Sequence, residues 1–239
     1  MYKRIILKLS GETLAPEAFS PANASHSFDA ARVDRAAKAI VALHDLGVQV
    51  GVVMGGGNIW RGRFTDAMNP VLADQMGMLA TIINALAVQD AILRLGHGAT
   101  VFTAQEMTRF ADLYRADKAI AAMERGDIVL LSGGSGNPFF TTDTAAALRA
   151  AELHADAVFK GTTVDGVYTA DPRKDPEAKL IRDITYRETI ERGLKVMDTS
   201  AFQLCLDQKI PCIRVFNMDD LDNILRVAKG EDIGTVVHM

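Results

Sequence analysis

Cysteine, tryptophan and histidine are scarce in this 239-residue chain, which holds two, one and five of them. Two cysteines, Cys205 and Cys212, are too few for a disulfide framework and lack the paired spacing of a structural zinc site. The scattered histidines form no His-Glu-x-x-His pattern, and no Gly-x-Ser-x-Gly elbow occurs. A reducing, cytoplasmic setting without structural metal is therefore expected. No continuous apolar run reaches the roughly 18–20 residues of a membrane span, so a soluble chain is expected, with no membrane partner. Residues 1–8 imitate the start of a signal peptide, but Lys8 interrupts the apolar stretch and no small-residue cleavage site follows. Asn23-Ala24-Ser25 matches a glycosylation sequon, and without a secretion signal it reads as a chance match. Charge of one sign is also lacking: 26 Lys+Arg against 30 Asp+Glu leave −4, which disfavours nucleic acid as a partner.

What is present is core material. Hydrophobic residues make up 49% and charged residues 23%, the balance of a globular protein rather than a disordered one. Short β-rich runs alternate with stretches of helical period, the texture of an α/β fold. Strands are expected at 3–9, 48–54, 99–103, 127–131, 157–160, 180–185, 212–215 and 235–237. Helices are expected at 29–46, from Pro70 to Leu95, at 116–125, from a cap at Thr142 or Asp143 to His154, from Arg187, from Asp198, and at 219–229. Val164-Asp165-Gly166-Val167 reads as a tight hairpin, since Asp-Gly tolerates the positive φ of a type I′ turn. The helix from Pro70 is apolar around much of its circumference, which suits a central helix or a subunit contact. Texture changes near Ala155, as expected of two lobes sharing one sheet.

Four expected strand ends release into small, polar or basic residues: Lys8-Leu9-Ser10-Gly11, Gly55-Gly56-Gly57-Asn58, Gly133-Gly134-Ser135-Gly136-Asn137-Pro138 and Lys160-Gly161-Thr162-Thr163. In a mostly parallel sheet these ends lie along one edge, where open α/β sheets bind ligands. Glycine allows close backbone approach, and the helix N-termini that follow favour anions, so a phosphate is the natural ligand. Each piece alone has a plainer reading: Gly55 to Gly57 as a turn, Lys8 as a lysine whose ammonium snorkels to the strand end, residues 132–138 as a flexible loop. Their repetition at equivalent topological points favours function. Neither Gly-x-x-x-x-Gly-Lys-Ser/Thr nor Gly-x-Gly-x-x-Gly occurs, which excludes P-loop and dinucleotide fingerprints. Cations, backbone donors and one acid are what phosphoryl transfer needs.

Taken together, Lys8-Leu9-Ser10-Gly11-Glu12, Gly55-Gly56-Gly57-Asn58-Ile59-Trp60-Arg61-Gly62, Asp74-Gln75-Met76-Gly77-Met78-Leu79-Ala80-Thr81, Gly136-Asn137-Pro138-Phe139-Phe140-Thr141-Thr142-Asp143 and Val164-Asp165-Gly166-Val167-Tyr168-Thr169-Ala170-Asp171-Pro172 resemble the bacterial uridylate kinases of the amino acid kinase superfamily. The likeness extends to Leu194-Lys195-Val196-Met197-Asp198 and Arg214-Val215-Phe216-Asn217-Met218, and so covers essentially the whole chain. It implies one domain over residues 1–239, a three-layer αβα sandwich with a central, mainly parallel sheet, with a UMP-binding lobe at 1–155 and an ATP-binding lobe at 156–239. The implied reaction is ATP-dependent conversion of UMP to UDP with magnesium held mainly by the nucleotide phosphates, without a protein ligand set. A phosphomonoester's second pKa is about 6, so the acceptor is ionised at neutral pH and no general base is required.

By the same resemblance Lys8, Asp143 and Lys160 are the catalytic group. ATP is assigned to Lys8, Leu9, Ser10, Gly11, Gly57, Arg61, Thr162, Tyr168 and Asp171. UMP is assigned to Gly56, Arg61, Asp74, Ser135, Gly136, Asn137, Pro138, Phe139, Phe140, Thr141 and Thr142. The family further implies a homohexamer built from dimers, with UTP or GTP as possible effectors. Residues 16–27 replace and lengthen the Gly-rich segment that contributes to GTP activation in many relatives, so the sense of regulation does not carry over. Ser135 stands where the family often has threonine, and Thr163 where many members have lysine. A related kinase for a carboxylate, carbamate or isoprenoid phosphate would keep Lys8 and Gly55 to Gly57 but lack the 136–143 loop. A noncatalytic nucleotide sensor or storage shell would have no need of Lys8, Asp143 and Lys160.

Overall fold

The computed structural model describes residues 2–16, 27–61, 68–194 and 196–239. Most of the 16–27 segment, Asn23, Gly62, Met1 and Lys195 lie outside the described residues, and the expectations that fall on them end there.

Strands and helices alternate as the sequence predicts. In chain order they are β1 (Arg4–Leu9), α1 (Ala30–His44), β2 (Gln49–Met54), α2 (Pro70–Arg94), β3 (Ala99–Thr103), β4 (Asp112–Leu113), α3 (Ala116–Glu124), β5 (Ile128–Ser132) and α4 (Thr142–Glu152). The second half supplies β6 (Ala157–Thr162), β7 (Val167–Tyr168), β8 (Leu180–Ile181), β9 (Asp183–Thr185), α5 (Tyr186–Glu191), α6 (Thr199–Asp207), β10 (Cys212–Asn217), α7 (Asn223–Ala228) and β11 (Thr235–His238). Among the described residues nine strands form one sheet in the order β4-β3-β5-β2-β1-β6-β10-β11-β9. Its strands from β4 to β10 run parallel, and β11 turns antiparallel to β10. β1 sits between β2 and β6, so it joins the strands of the two halves of the chain.

Parallel strands covered on both faces must be apolar throughout, which explains runs such as Ile5-Ile6-Leu7 and Ile128-Val129-Leu130-Leu131. Side-chain alternation divides them. Ile5, Leu7, Leu9, Val50, Val52, Ile128 and Leu130 meet α1, α2 and α7, while Ile6, Val53, Val129, Leu131 and Val158 meet α3, α4, α5 and α6. The result is the expected αβα sandwich.

Several local expectations fail for identifiable reasons. The cap of α4 is Thr141, whose hydroxyl accepts from the Asp143 and Thr144 amides, so Thr142 and Asp143 are already helical. Gly166 lies outside the left-handed region and no hairpin forms there; β7 pairs instead with β8. The glycine serves close approach: a Cβ would lie 2.5 Å from Thr235 Oγ1, which accepts from the Val167 amide. The run 180–185 splits into β8 and β9, which belong to different sheets, and β4 was not foreseen. Finally, α2 is long and apolar enough to cross a membrane by length and composition, with mean hydropathy 1.6, and 44% of that stretch is buried inside the protein. Continuous apolar runs alone did not reveal that.

Candidate active site

The centre of the site follows from strand register. Lys8 and Lys160 are directly opposite one another on parallel β1 and β6. Each lies two residues beyond a side chain packed under α4 to α6, Ile6 in one case and Val158 in the other, so both point to that face. Like charges opposed across a sheet are destabilising unless offset. The offset is Asp143 in the first turn of α4: its Oδ1 is 3.4 Å from Lys8 Nζ, and its Oδ2 accepts a hydrogen bond from Lys160 Nζ. The Thr141 hydroxyl, while capping α4, donates to the Asp198 carboxylate at the start of α6.

Burial pushes the Asp143 carboxyl up, but the Lys8 and Lys160 ammoniums more than reverse this and hold it below the usual carboxylate range. Burial pushes Lys160 down to about 8, despite attraction from Asp143 and with repulsion from Lys8 adding to the fall. Asp198 adds its attraction to Lys160, and the cluster stands next to the N-terminus of α4, a place that favours an anion.

Around this centre the glycine-rich strand ends are held by α2. Its buried Asn84 donates to the Gly55 carbonyl at 2.6 Å and to Asn58 Oδ1 at 2.8 Å, while Asn58 returns a bond to Asn84 at 3.0 Å and another to the Ser27 carbonyl at 2.8 Å. One turn earlier, Thr81 Oγ1 accepts from the Gly133 amide at 2.8 Å, which fixes the loop after β5. At the start of the helix Asp74 accepts from the Phe139 amide at 2.7 Å, and Trp60 Nε1 donates to the Ala73 carbonyl at 2.8 Å. Glu12 binds both Ser10 and Arg61. A Cβ on Gly55 would lie 2.9 Å from the Gly11 backbone nitrogen and 3.2 Å from the Leu9 carbonyl oxygen, so this turn leaves no room for a side chain.

These elements enclose a cavity of about 560 Å³. Of the residues expected from the sequence, it is lined by Lys8, Ser10, Gly11, Gly56, Gly57, Arg61, Asp74, Ser135, Asn137, Phe140, Thr141, Thr142 and Asp143. Lys160 stands behind Asp143. The Leu9 side chain is core, and its carbonyl accepts from the Gly55 amide at 2.8 Å, so any part it plays is through the backbone turn. Gly136, Pro138 and Phe139 shape the loop without lining the cavity; Gly136 offers its carbonyl to Gln105, and Phe139 adopts a φ of 69°. Tyr168 and Asp171 line a second cavity of about 440 Å³ together with Arg173, Lys174 and Arg192. Thr162 lines neither; its hydroxyl is exchanged with the Val164 backbone at 2.8 Å.

Sequence reasoning passed over Glu12, Asn58, Thr81 and Asn84 as functional residues. For Asn84 there was a signal, a lone polar residue in the apolar run 82–88, where a polar group persists only with partners.

Similarity to known proteins extends along the whole chain. The model of the amino acid kinase family matches residues 3–217, and the chain belongs to that family. A uridylate kinase of Bacteroides thetaiotaomicron is 50% identical over 99% of this chain and 98% of its own length, and one of Phocaeicola vulgatus is 49% identical over the same shares. The UMP kinase structure from Bacillus anthracis superposes with a TM-score of 0.93 at 34% identity, covering 99% of this chain and 96% of that one. That from Ureaplasma parvum gives 0.91 at 34% identity with both chains fully covered. Within the family the chain groups with the bacterial uridylate kinases.

Proposed function

We propose that this chain transfers the γ-phosphoryl group of ATP to UMP, giving UDP and ADP. The observation that carries the reading is the Lys8–Asp143–Lys160 cluster beside a cavity walled by glycine turns. An oxygen of the UMP phosphate attacks the γ-phosphorus, the bond to the β-phosphate bridging oxygen breaks, and that oxygen leaves on ADP. The nucleophile is already ionised, so the protein supplies alignment and charge rather than a base. Lys8 and Lys160 neutralise charge on the transferred group, and Asp143 holds both ammoniums in place between substrates.

UMP occupies the cavity of the 1–155 lobe, with Arg61 toward its phosphate, Asp74 toward the ribose hydroxyls and residues 135–142 around the uridine end. One oxygen of Asp74 holds the Phe139 amide, so ribose binding and loop position are coupled through one carboxylate. ATP places its phosphates at Ser10, Gly11 and Gly57 and its base and ribose in the second cavity of the 156–239 lobe, beside Tyr168 and Asp171. Magnesium fits this donor set as an ion ligated chiefly by phosphate oxygens and water, shielding their charge. Asp143 Oδ1, paired with Lys8 at 3.4 Å but without a hydrogen-bond partner among the described residues, would accept from water around such an ion. Leu72, Met76, Leu79 and Ile83 are exposed at helical spacing on α2, which supports the assembly into dimers and a hexamer. The proposed compartment is the cytoplasm.

The test is a screen of nucleoside monophosphates as acceptors in a coupled ADP-release assay with ATP and magnesium. UMP-dependent ADP release, well above that with CMP, AMP or GMP, is the expected result; no UMP-dependent release overturns the reading.

A further inference from the structure

At the opposite edge of the sheet, α1 and α2 end beside one another. α1 closes at His44 with Asp45 as its C-cap, and α2 closes at Arg94 with Leu95 as C-cap, two residues before His97. One ring nitrogen of His44, one of His97 and an Asp45 carboxylate oxygen all lie within 4.8 Å of one another. Asp45 Oδ1 is 2.9 Å from His97 Nε2 and 3.8 Å from His44 Nδ1. Two ligands bound to one zinc ion at 2.0–2.1 Å and subtending a tetrahedral angle are about 3.3 Å apart, between these two separations.

Hydrogen positions sharpen this. His97 Nδ1 lies 3.2 Å from the Leu95 carbonyl, which can only accept, so Nδ1 carries a hydrogen. His97 Nε2 in turn faces the Asp45 carboxylate oxygen at 2.9 Å. That contact leaves His44 Nδ1 as it is, buried and without a hydrogen-bond partner among the described residues. A metal ion satisfies all three atoms. The carbonyl behind His97 is the kind of outer partner that orients ligating imidazoles, and the C-terminal ends of two helices add negative potential.

We propose that His44, Asp45 and His97 form a binding site for a zinc-type divalent ion. Two imidazoles and one carboxylate suit zinc, cobalt or nickel, whereas magnesium and calcium prefer all-oxygen sets. The site lies at the starts of β2 and β3, and the glycine turns lie at strand ends; six residues of β2 span about 20 Å. The ion therefore clamps α1 to α2 and takes no part in phosphoryl transfer.

The experiment is calorimetric titration of the chelator-treated full chain with zinc chloride, in parallel with His97→Gln and the near-isosteric Asp45→Asn, each checked for fold by far-UV circular dichroism. One zinc per chain is expected, undisturbed by millimolar magnesium, with affinity weakened at least about tenfold in either variant. Saturating zinc should raise the melting temperature of the unsubstituted chain by about 5 °C or more and leave His97→Gln nearly unmoved. The proposal is overturned by zinc affinity equal in the unsubstituted chain and both folded variants, by absence of stoichiometric binding, or by displacement with magnesium.

Discussion

The two cavities differ in what holds their walls. In the first, distant parts of the chain are tied by side chains of α2: Asn84 to Gly55 and Asn58, Thr81 to Gly133, Asp74 to Phe139. In the second, Val167 is tied to the distant Thr235, but the wall beside Asp171 is held locally. β7 and β8 are two residues each, and Asp171 organises its own turn by accepting from the Arg173 amide at 3.1 Å and, through its carbonyl, from Lys174 at 2.9 Å. The cations differ as well. Lys8 and Lys160 are largely buried against Asp143, whereas the Arg173 side chain beside Asp171 is 73% exposed. Phosphoryl transfer requires fixed positions and undiluted charge, which distant buried bracing provides. Holding a base and ribose, the role proposed for the second cavity, tolerates a less braced wall, because small displacements there move no reacting atom.

The sharpest way to break this contrast is Lys8→Ala. Loss of one preorganised charge should lower kcat by about 10²–10³ with the fold intact, measured by ADP release and by circular dichroism. Near-normal turnover would reduce Lys8 to a snorkelling strand residue and the first cavity to a binding pocket like the second.

Much of the contrast was legible in the sequence, and unevenly. β3 was read to the residue, and the strands 3–9 and 48–54 within a residue, because strands buried on both faces write apolar runs bounded by glycine. Lys8 and Lys160 could be seen because lysine seldom sits in such a run. What could not be seen was pairing. The Lys8–Lys160 register, the Asn58–Asn84 amide pair and the attachment of Thr81 to Gly133 join residues far apart in sequence, and no local pattern encodes them. The Asp165-Gly166 hairpin failed for the same reason, since its glycine answers to Thr235 and not to its own turn.

Asn84→Ala probes the bracing itself. It removes two donated bonds and leaves the buried Asn58 amide short of a partner, so destabilisation of about 1–3 kcal/mol is expected in urea unfolding. KM for UMP should rise as the Gly55 turn loosens. A variant as stable as the unsubstituted chain would mean that the turn holds itself, as the second cavity's wall does.

A smaller and crosswise effect separates the two nucleotides. Asp74→Asn should raise KM for UMP about tenfold, near 1.4 kcal/mol, and leave KM for ATP within about twofold. Tyr168→Ala should do the reverse. Equal losses for both nucleotides in either variant would show that the cavities are misassigned.

The mildest test is pH. Lys160, lowered by burial to about 8 from its ordinary 10.5, binds fewer protons in the folded chain than in the unfolded one between those values. Its contribution to stability is therefore present above pH 10.5 and is lost as pH falls through about 8. Catalysis follows the opposite sense, because the transferred phosphoryl group needs the ammonium. The kcat/KM for UMP should fall as pH rises through about 8, reporting the free enzyme. Asp143→Asn removes the attraction that keeps this lysine charged, so the alkaline limb should move to lower pH. In Tyr168→Ala the limb should stay in place. A limb that ignores Asp143 would detach Lys160 from the reaction and leave Lys8 as the sole cation acting on the phosphoryl group.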